Sequence, residues 1–136
     1  MNPLAGSPFS VHLGLKVVEW SPGKAVVSLE ITDALKNRRG VAHGGVTATL
    51  LDAALGLACS SPEDDWKSEG TVTLNLQFIE PARGTLLAEA RLLRAGRTVA
   101  FVEGEARDES GALVAKATAT FKIERRRKHK EPASSS

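Results

Sequence analysis

Residues 37–60 read NRRGVAHGGVTATLLDAALGLACS, a polar, glycine-bearing loop that runs directly into an apolar segment. From Val46 to Ala58 the thirteen residues hold no proline and one glycine and are rich in Ala and Leu. That is too long for an ordinary strand and close to the length of an average helix, so the stretch predicts a helix of three to four turns. Its apolar residues leave no broad polar face, which predicts a helix wrapped by other structure. Inside it stands one carboxylate, Asp52. A carboxylate taken out of water must be partnered, neutralised or put to use.

The residues before the helix offer a use. His43, Gly44 and Gly45 supply a ring nitrogen and two positions without Cβ, where a ligand can approach the backbone. The first N–H groups of a helix lack intrahelical acceptors and carry partial positive charge, which suits an oxygen that gains charge during acyl transfer. Gly45 is therefore expected as an oxyanion donor. Seven residues separate it from Asp52, about 10.5 Å of helical rise. A base or nucleophile must come within about 3 to 3.5 Å of the reacting centre. One chain cannot bring both groups to one carbonyl, so if both act, an obligate homodimer with interfacial sites is expected.

The pattern Asn37, five residues, His43-Gly44-Gly45, six residues, Asp52, together with TVTLNLQFIEPA at 71–82, resembles the hotdog-fold acyl-CoA thioesterases of the phenylacetate-pathway (PaaI-like) and thioesterase superfamily member 2 type. The likeness extends more loosely over residues 10 to 124. It implies an Asp52 nucleophile or general base, a Gly45 N–H on the thioester oxygen, and Asn37 and His43 orienting the thioester or attacking water. Thr71 is implied as a further catalytic residue, with Thr73 as second choice and Gly44 beside the substrate. It also implies hydrolysis of aryl-, arylacetyl- or medium-chain acyl-CoA, without a cofactor, in a homodimer or homotetramer. A non-hydrolytic acyl-CoA binding or sensing protein and an enoyl-CoA hydratase on the same fold are the rival readings.

The flanking sequence predicts the enclosure. Leu15–Trp20 and Lys24–Ile31 read as a hairpin about Ser21-Pro22-Gly23, after a short N-terminal helix, and Asp33–Lys36 as one helical turn. Ser60–Gly70, with Glu63, Asp64 and Asp65, reads as a hydrophilic loop that covers the site or is simply exposed. Strands follow at Thr71–Ile79, Thr85–Arg94, Thr98–Arg107 and Ala112–Glu124. In the first of them Val72, Leu74, Leu76 and Phe78 alternate with Thr71, Thr73, Asn75 and Gln77, the period of a half-buried strand. One face of the others is small: Ala88 and Ala90; Ala100, Val102, Gly104 and Ala106; Ala115, Ala117 and Ala119. Small side chains let a sheet curl around a thick helix. The expected architecture is α+β, an antiparallel sheet of five to six strands around one long central helix, filling residues 1–124.

At 136 residues, 42% hydrophobic and 25% charged, the chain is of single-domain size. No apolar run reaches 18 residues and no basic-then-apolar leader is visible, so neither a membrane span nor a secretory signal is expected. A single cysteine forms no internal disulfide, and a cytoplasmic location is the default. Cys59 lacks a neighbouring base and reads as an inert core thiol. His12 and His129 find no second ligand at metal-site spacing, so no metal is expected. Residues 125–136 carry five cations and one acid, which leaves −2 on the preceding 124 residues of a chain whose total is +2. They read as a basic, disordered C-terminal tail, with no partner in nucleic acid or membrane. Arg38, Arg39, Arg94 and Arg97 are equally readable as CoA-phosphate contacts or as solvated surface.

Overall fold

The computed structural model describes residues 2–125. Helix α1 (Pro8–Leu13) is followed by strands β1 (Lys16–Ser21) and β2 (Lys24–Glu30), a 3₁₀ turn (Asp33–Leu35) and the long helix α2 (Gly44–Ala58). Strands β3 (Trp66–Phe78), β4 (Thr85–Ala95), β5 (Val99–Arg107) and β6 (Leu113–Arg125) complete the chain. They form one six-stranded sheet in the order β1-β2-β4-β5-β6-β3, every pair antiparallel. The basic tail lies outside the described residues except for Arg125, which ends β6 and donates to the carbonyls of Ala95 and Gly96 at 3.2 Å.

Helix α2 lies against the concave face of the sheet. Its buried side chains, Leu50, Leu51, Ala54, Leu55 and Ala58, meet an inner face of Ala88, Ala90, Ala100, Val102, Ala106, Ala115, Ala117 and Ala119, as the small-residue pattern predicts. The approach is closest at Gly104, where a Cβ would lie 3.0 Å from the Glu89 carbonyl oxygen and 3.2 Å from Leu55 Cδ2.

Two expectations are corrected. The helix is not enclosed all round: Gly45, Thr49, Asp52 and Gly56, spaced at three and four residues, form a stripe outside the buried set, and Asp52 is half-buried. Strand β3 also starts five residues before Thr71. Trp66, Lys67 and Ser68 lack alternating apolar residues, yet pair with Arg125, Glu124 and Ile123 because β6 is long enough to supply partners. The hydrophilic loop shrinks accordingly to residues 60–65.

Strand β3 is a sheet edge. Its pairing with β6 slips between Thr71 and Thr73, and this bulge changes which face each side chain takes. Thr71 pairs with Phe121 and Thr73 with Thr120, neighbours on opposite faces of β6, while Leu74 and Leu76 pair with the buried Ala119 and Ala117. Thr71 therefore points to the helix and Thr73 away from it. Val72, expected inside, is 60% exposed, and Phe78 and Ile79 are exposed further along.

Candidate active site

The α2 N-terminus is built by the segment from Leu35 onward. The Asn37 N–H donates to the Val41 carbonyl at 2.8 Å. Its side-chain Oδ1 accepts from the N–H groups of Arg39 (2.9 Å) and Val41 (3.3 Å). The acceptor half of the amide is thus spent on the loop, and the Nδ2 donor remains for a ligand. Gly40 sits in the same turn at φ +81°, a conformation few side chains allow. Backbone bonds from His43 to the Leu35 carbonyl (2.9 Å) and from Ala42 to the Ala82 carbonyl (2.8 Å) anchor the loop to its neighbours.

His43 caps the helix. Its Nδ1 accepts the Gly45 N–H at 2.8 Å, so the neutral ring carries its proton on Nε2. A Cβ at position 45 would stand 3.1 Å from that same Nδ1, which gives a physical reason for the second glycine of the triplet. The N–H expected to meet a substrate oxygen is therefore engaged by the imidazole. The preceding one, of Gly44, has no acceptor among the described residues. Gly44 lines a cleft of ≈ 580 Å³ with Asn37, Thr47, Phe78, Pro81, Arg39, Glu80 and Arg83. The Phe78 ring lies over Gly44, 3.7 Å from where a Cβ would be.

Asp52 lines a second cleft, of ≈ 490 Å³, together with Thr49 and Gly56 of the same helix stripe. Its Oδ1 accepts the Thr71 hydroxyl at 2.8 Å. Thr49, one turn earlier, lines the same cleft and donates to the Gly45 carbonyl at 2.8 Å. A carboxylate fixed through one oxygen and open at the other is placed to accept a proton from water or to attack an electrophile.

The residues expected from sequence thus fall into three groups. Asn37 and Gly44 share one cleft, His43 and Gly45 are bonded to each other, and Asp52, which lines the other cleft, is bonded to Thr71. Thr73 is brought to neither; the bulge turns it to the outer face. Thr49, Gly56 and Arg83 were not anticipated. The spacing of 45, 49, 52 and 56 marks the first two as one helix face, whereas Arg83 enters only because the chain folds residues 78–83 back over the loop.

A fold of six antiparallel strands around one helix, with a glycine-lined helix start and a carboxylate two turns on, matches known proteins. The sequence profile of the thioesterase superfamily fits residues 39–115, from the loop before α2 into β6. The chain belongs to the thioesterase superfamily. Membership makes it a thioester hydrolase of the hotdog fold. This superfamily member is similar to the medium/long-chain acyl-CoA thioesterase YigI of Escherichia coli, at 30% identity over 132 residues and 85% of each chain. Among solved structures it resembles a conserved protein from Pseudomonas aeruginosa, at 39% identity and TM-score 0.80, covering 86% of this chain and 94% of that one. Zebrafish thioesterase superfamily member 2 is similar at 30% identity and TM-score 0.76, with 88% and 89% covered.

Cys59 plays no part in the site. It is fully buried, and burial pushes its thiol from 9.0 up to about 12. Among the described residues no three His, Cys, Asp or Glu side chains are grouped to hold a metal ion, and no helix is long and apolar enough to cross a membrane.

Proposed function

We propose that the protein hydrolyses acyl-CoA thioesters at sites shared between two copies of the chain. The observation that carries this reading is the division of the site residues. Gly44 at the helix start and the carboxylate of Asp52 line different clefts of one chain, about 12 Å apart along α2. Two antiparallel copies would bring the Asp52 of one to the Gly44 of the other. The unpaired edge of β3, with Val72, Phe78 and Ile79 exposed, supports such pairing, since a long apolar edge left open invites aggregation.

In this reading the thioester oxygen takes the Gly44 N–H at the positive end of α2, with the Asn37 Nδ2 as second donor. The His43–Gly45 bond holds the helix start, and Gly45 can add its own N–H only by loosening that bond. Asp52 of the other copy, steadied by Thr71, takes the proton of a water that adds to the carbonyl carbon. The tetrahedral adduct collapses, the C–S bond breaks and CoA leaves as a thiolate, a leaving group that does not need a strong acid. Arg39 and Arg83, which line the same cleft, are suited to the phosphates of CoA. The family likeness favours aryl-, arylacetyl- or medium-chain acyl groups.

A free-thiol assay across a panel of CoA esters tests the activity. Mixing two inactive variants tests the shared site. Asp52→Asn and Asn37→Ala subunits assembled together leave one of the two sites of each mixed dimer intact if the residues come from different copies. Recovered turnover is expected. No recovery from mixed dimers of confirmed composition would return both residues to one chain.

A further inference from the structure

Strand β3 carries a second irregularity upstream of the one that separates Thr71 from Thr73. Its pairing with β6 also slips between Ser68 and Gly70. Ser68 pairs with Ile123 and Thr71 with Phe121, both buried on the inner face, whereas Gly70 between them pairs with the exposed Lys122. An unbroken strand would carry Ser68 and Thr71, three residues apart, to opposite faces. Both turn toward the helix because the slip adds one residue to β3. Gly70 takes φ +153° there, a backbone conformation that residues with a side chain rarely adopt, although a Cβ would meet nothing within 4 Å.

The direction of Thr71 is thus counted from Ser68, and Ser68 is tied to the end of α2. Its N–H donates to Ser60 Oγ at 2.9 Å, and its own Oγ lies 3.4 Å from that atom. The Ser60 hydroxyl donates to the Gly56 carbonyl at 3.1 Å. Ser60 is held in turn from β1, where Trp20 Nε1 donates to its carbonyl at 3.2 Å and to that of Leu57 at 2.9 Å. Gly56 leaves room for this approach of helix and sheet, since a Cβ there would stand 3.3 Å from the Phe121 ring and 3.7 Å from Ser68 Oγ. Two ties therefore join α2 to β3 on either side of the slip, Ser60 to Ser68 and Asp52 to Thr71.

We propose that Ser60 is a positioning residue for the carboxylate: by accepting the Ser68 N–H it holds β3 in the phase that aims the Thr71 hydroxyl at Asp52. The proposal rests on the thioesterase reading above, in which Asp52 is the base, and extends it to what keeps that base oriented. Glu69, the residue skipped in the slip, pairs with Lys122 at 3.1 Å on the solvent side. An exposed pair contributes little, so the hold on the slip comes from the helix side, through Ser60.

The test is a double-mutant cycle on kcat, built from Ser60→Ala, Thr71→Val and the two together, with the CoA ester that the wild type turns over fastest. Ser60→Ala removes the acceptor and should lower kcat about three- to tenfold, no further than Thr71→Val, with KM little changed. Placed on top of Thr71→Val it should lower kcat no more, because the hydroxyl that it aims is gone. A merely structural role would lower kcat alike in both backgrounds. Ser60→Thr keeps the acceptor and should restore wild-type kcat, and Glu69→Gln should stay near wild type. Gly70→Ala reaches the same slip through the backbone and should reproduce both the loss and its non-additivity, which carries the test if Ser60→Ala does not fold. Wild-type kcat in Ser60→Ala, or a loss that simply multiplies with that of Thr71→Val, overturns the proposal. If the wild type releases no thiol from any CoA ester, the thioesterase reading fails instead.

Discussion

Thr71 donates its hydroxyl to Asp52 Oδ1 at 2.8 Å across 19 positions of sequence, joining an edge strand to the half-open face of α2. The contact exists because β3 bulges between Thr71 and Thr73, which turns one threonine inward and leaves the next outside. A carboxylate held through a single oxygen keeps the other for chemistry.

If that carboxylate is the base, Asp52→Asn should lower kcat by about 10² or more with acyl-CoA binding little changed. Thr71→Val, which keeps the shape and removes the donor, should cost about tenfold, the scale of one net hydrogen bond. Thr73→Val should leave turnover near wild type. Steady-state kinetics on the three variants checks the order, and a loss from Thr73→Val equal to that from Thr71→Val would contradict the bulge.

The cap at the start of α2 makes a separate demand. Gly45→Ala puts a Cβ 3.1 Å from His43 Nδ1 and should push the imidazole off the Gly45 N–H. We expect turnover to fall about tenfold with modest change in melting temperature, again on the scale of one hydrogen bond. A variant as active as the wild type would show that the cap does not matter to the site.

Packing between sheet and helix is tested away from the chemistry. Gly104→Val cannot be accommodated without moving the Glu89 backbone or Leu55, since even a Cβ would lie 3.0 Å from the one and 3.2 Å from the other. The expected loss is about 2 kcal/mol of unfolding free energy, measured by urea denaturation. An unchanged midpoint would mean that the sheet gives way freely.

The single cysteine supplies a pH test. With its thiol pushed from 9.0 to about 12 by burial, Cys59 stays protonated in the folded protein where an unfolded thiol ionises. A raised folded-state value means that this contribution to stability is complete below about pH 9 and is lost as pH rises toward 12. Native protein should resist iodoacetamide at pH 9 and react once unfolded in urea. Cys59→Ala should remove that part of the alkaline destabilisation, as read by melting temperature between pH 8 and 11.

The helix, the hairpins and the small-residue face of the sheet are legible in the sequence because each follows from a local period: 3.6 residues for Val46–Ala58, two for the strands, and turn residues between them. The loop-helix unit that carries Asn37, His43, Gly44, Gly45 and Asp52 is local in the same way. Strand register is not local. The alternation of 71–78 places Thr71 and Thr73 on one face, and only pairing with β6 introduces the bulge that separates them and sends Val72 outside. The engagement of the Gly45 N–H by His43, the arrival of Arg83 in the cleft with Asn37, and the close approach of the Phe121 ring to Gly56 likewise depend on side-chain direction and on contacts between separate segments of the chain. Sequence set which elements form and which residues are chemically able; tertiary packing decided which of them meet, because register and close approach are properties of pairs of segments.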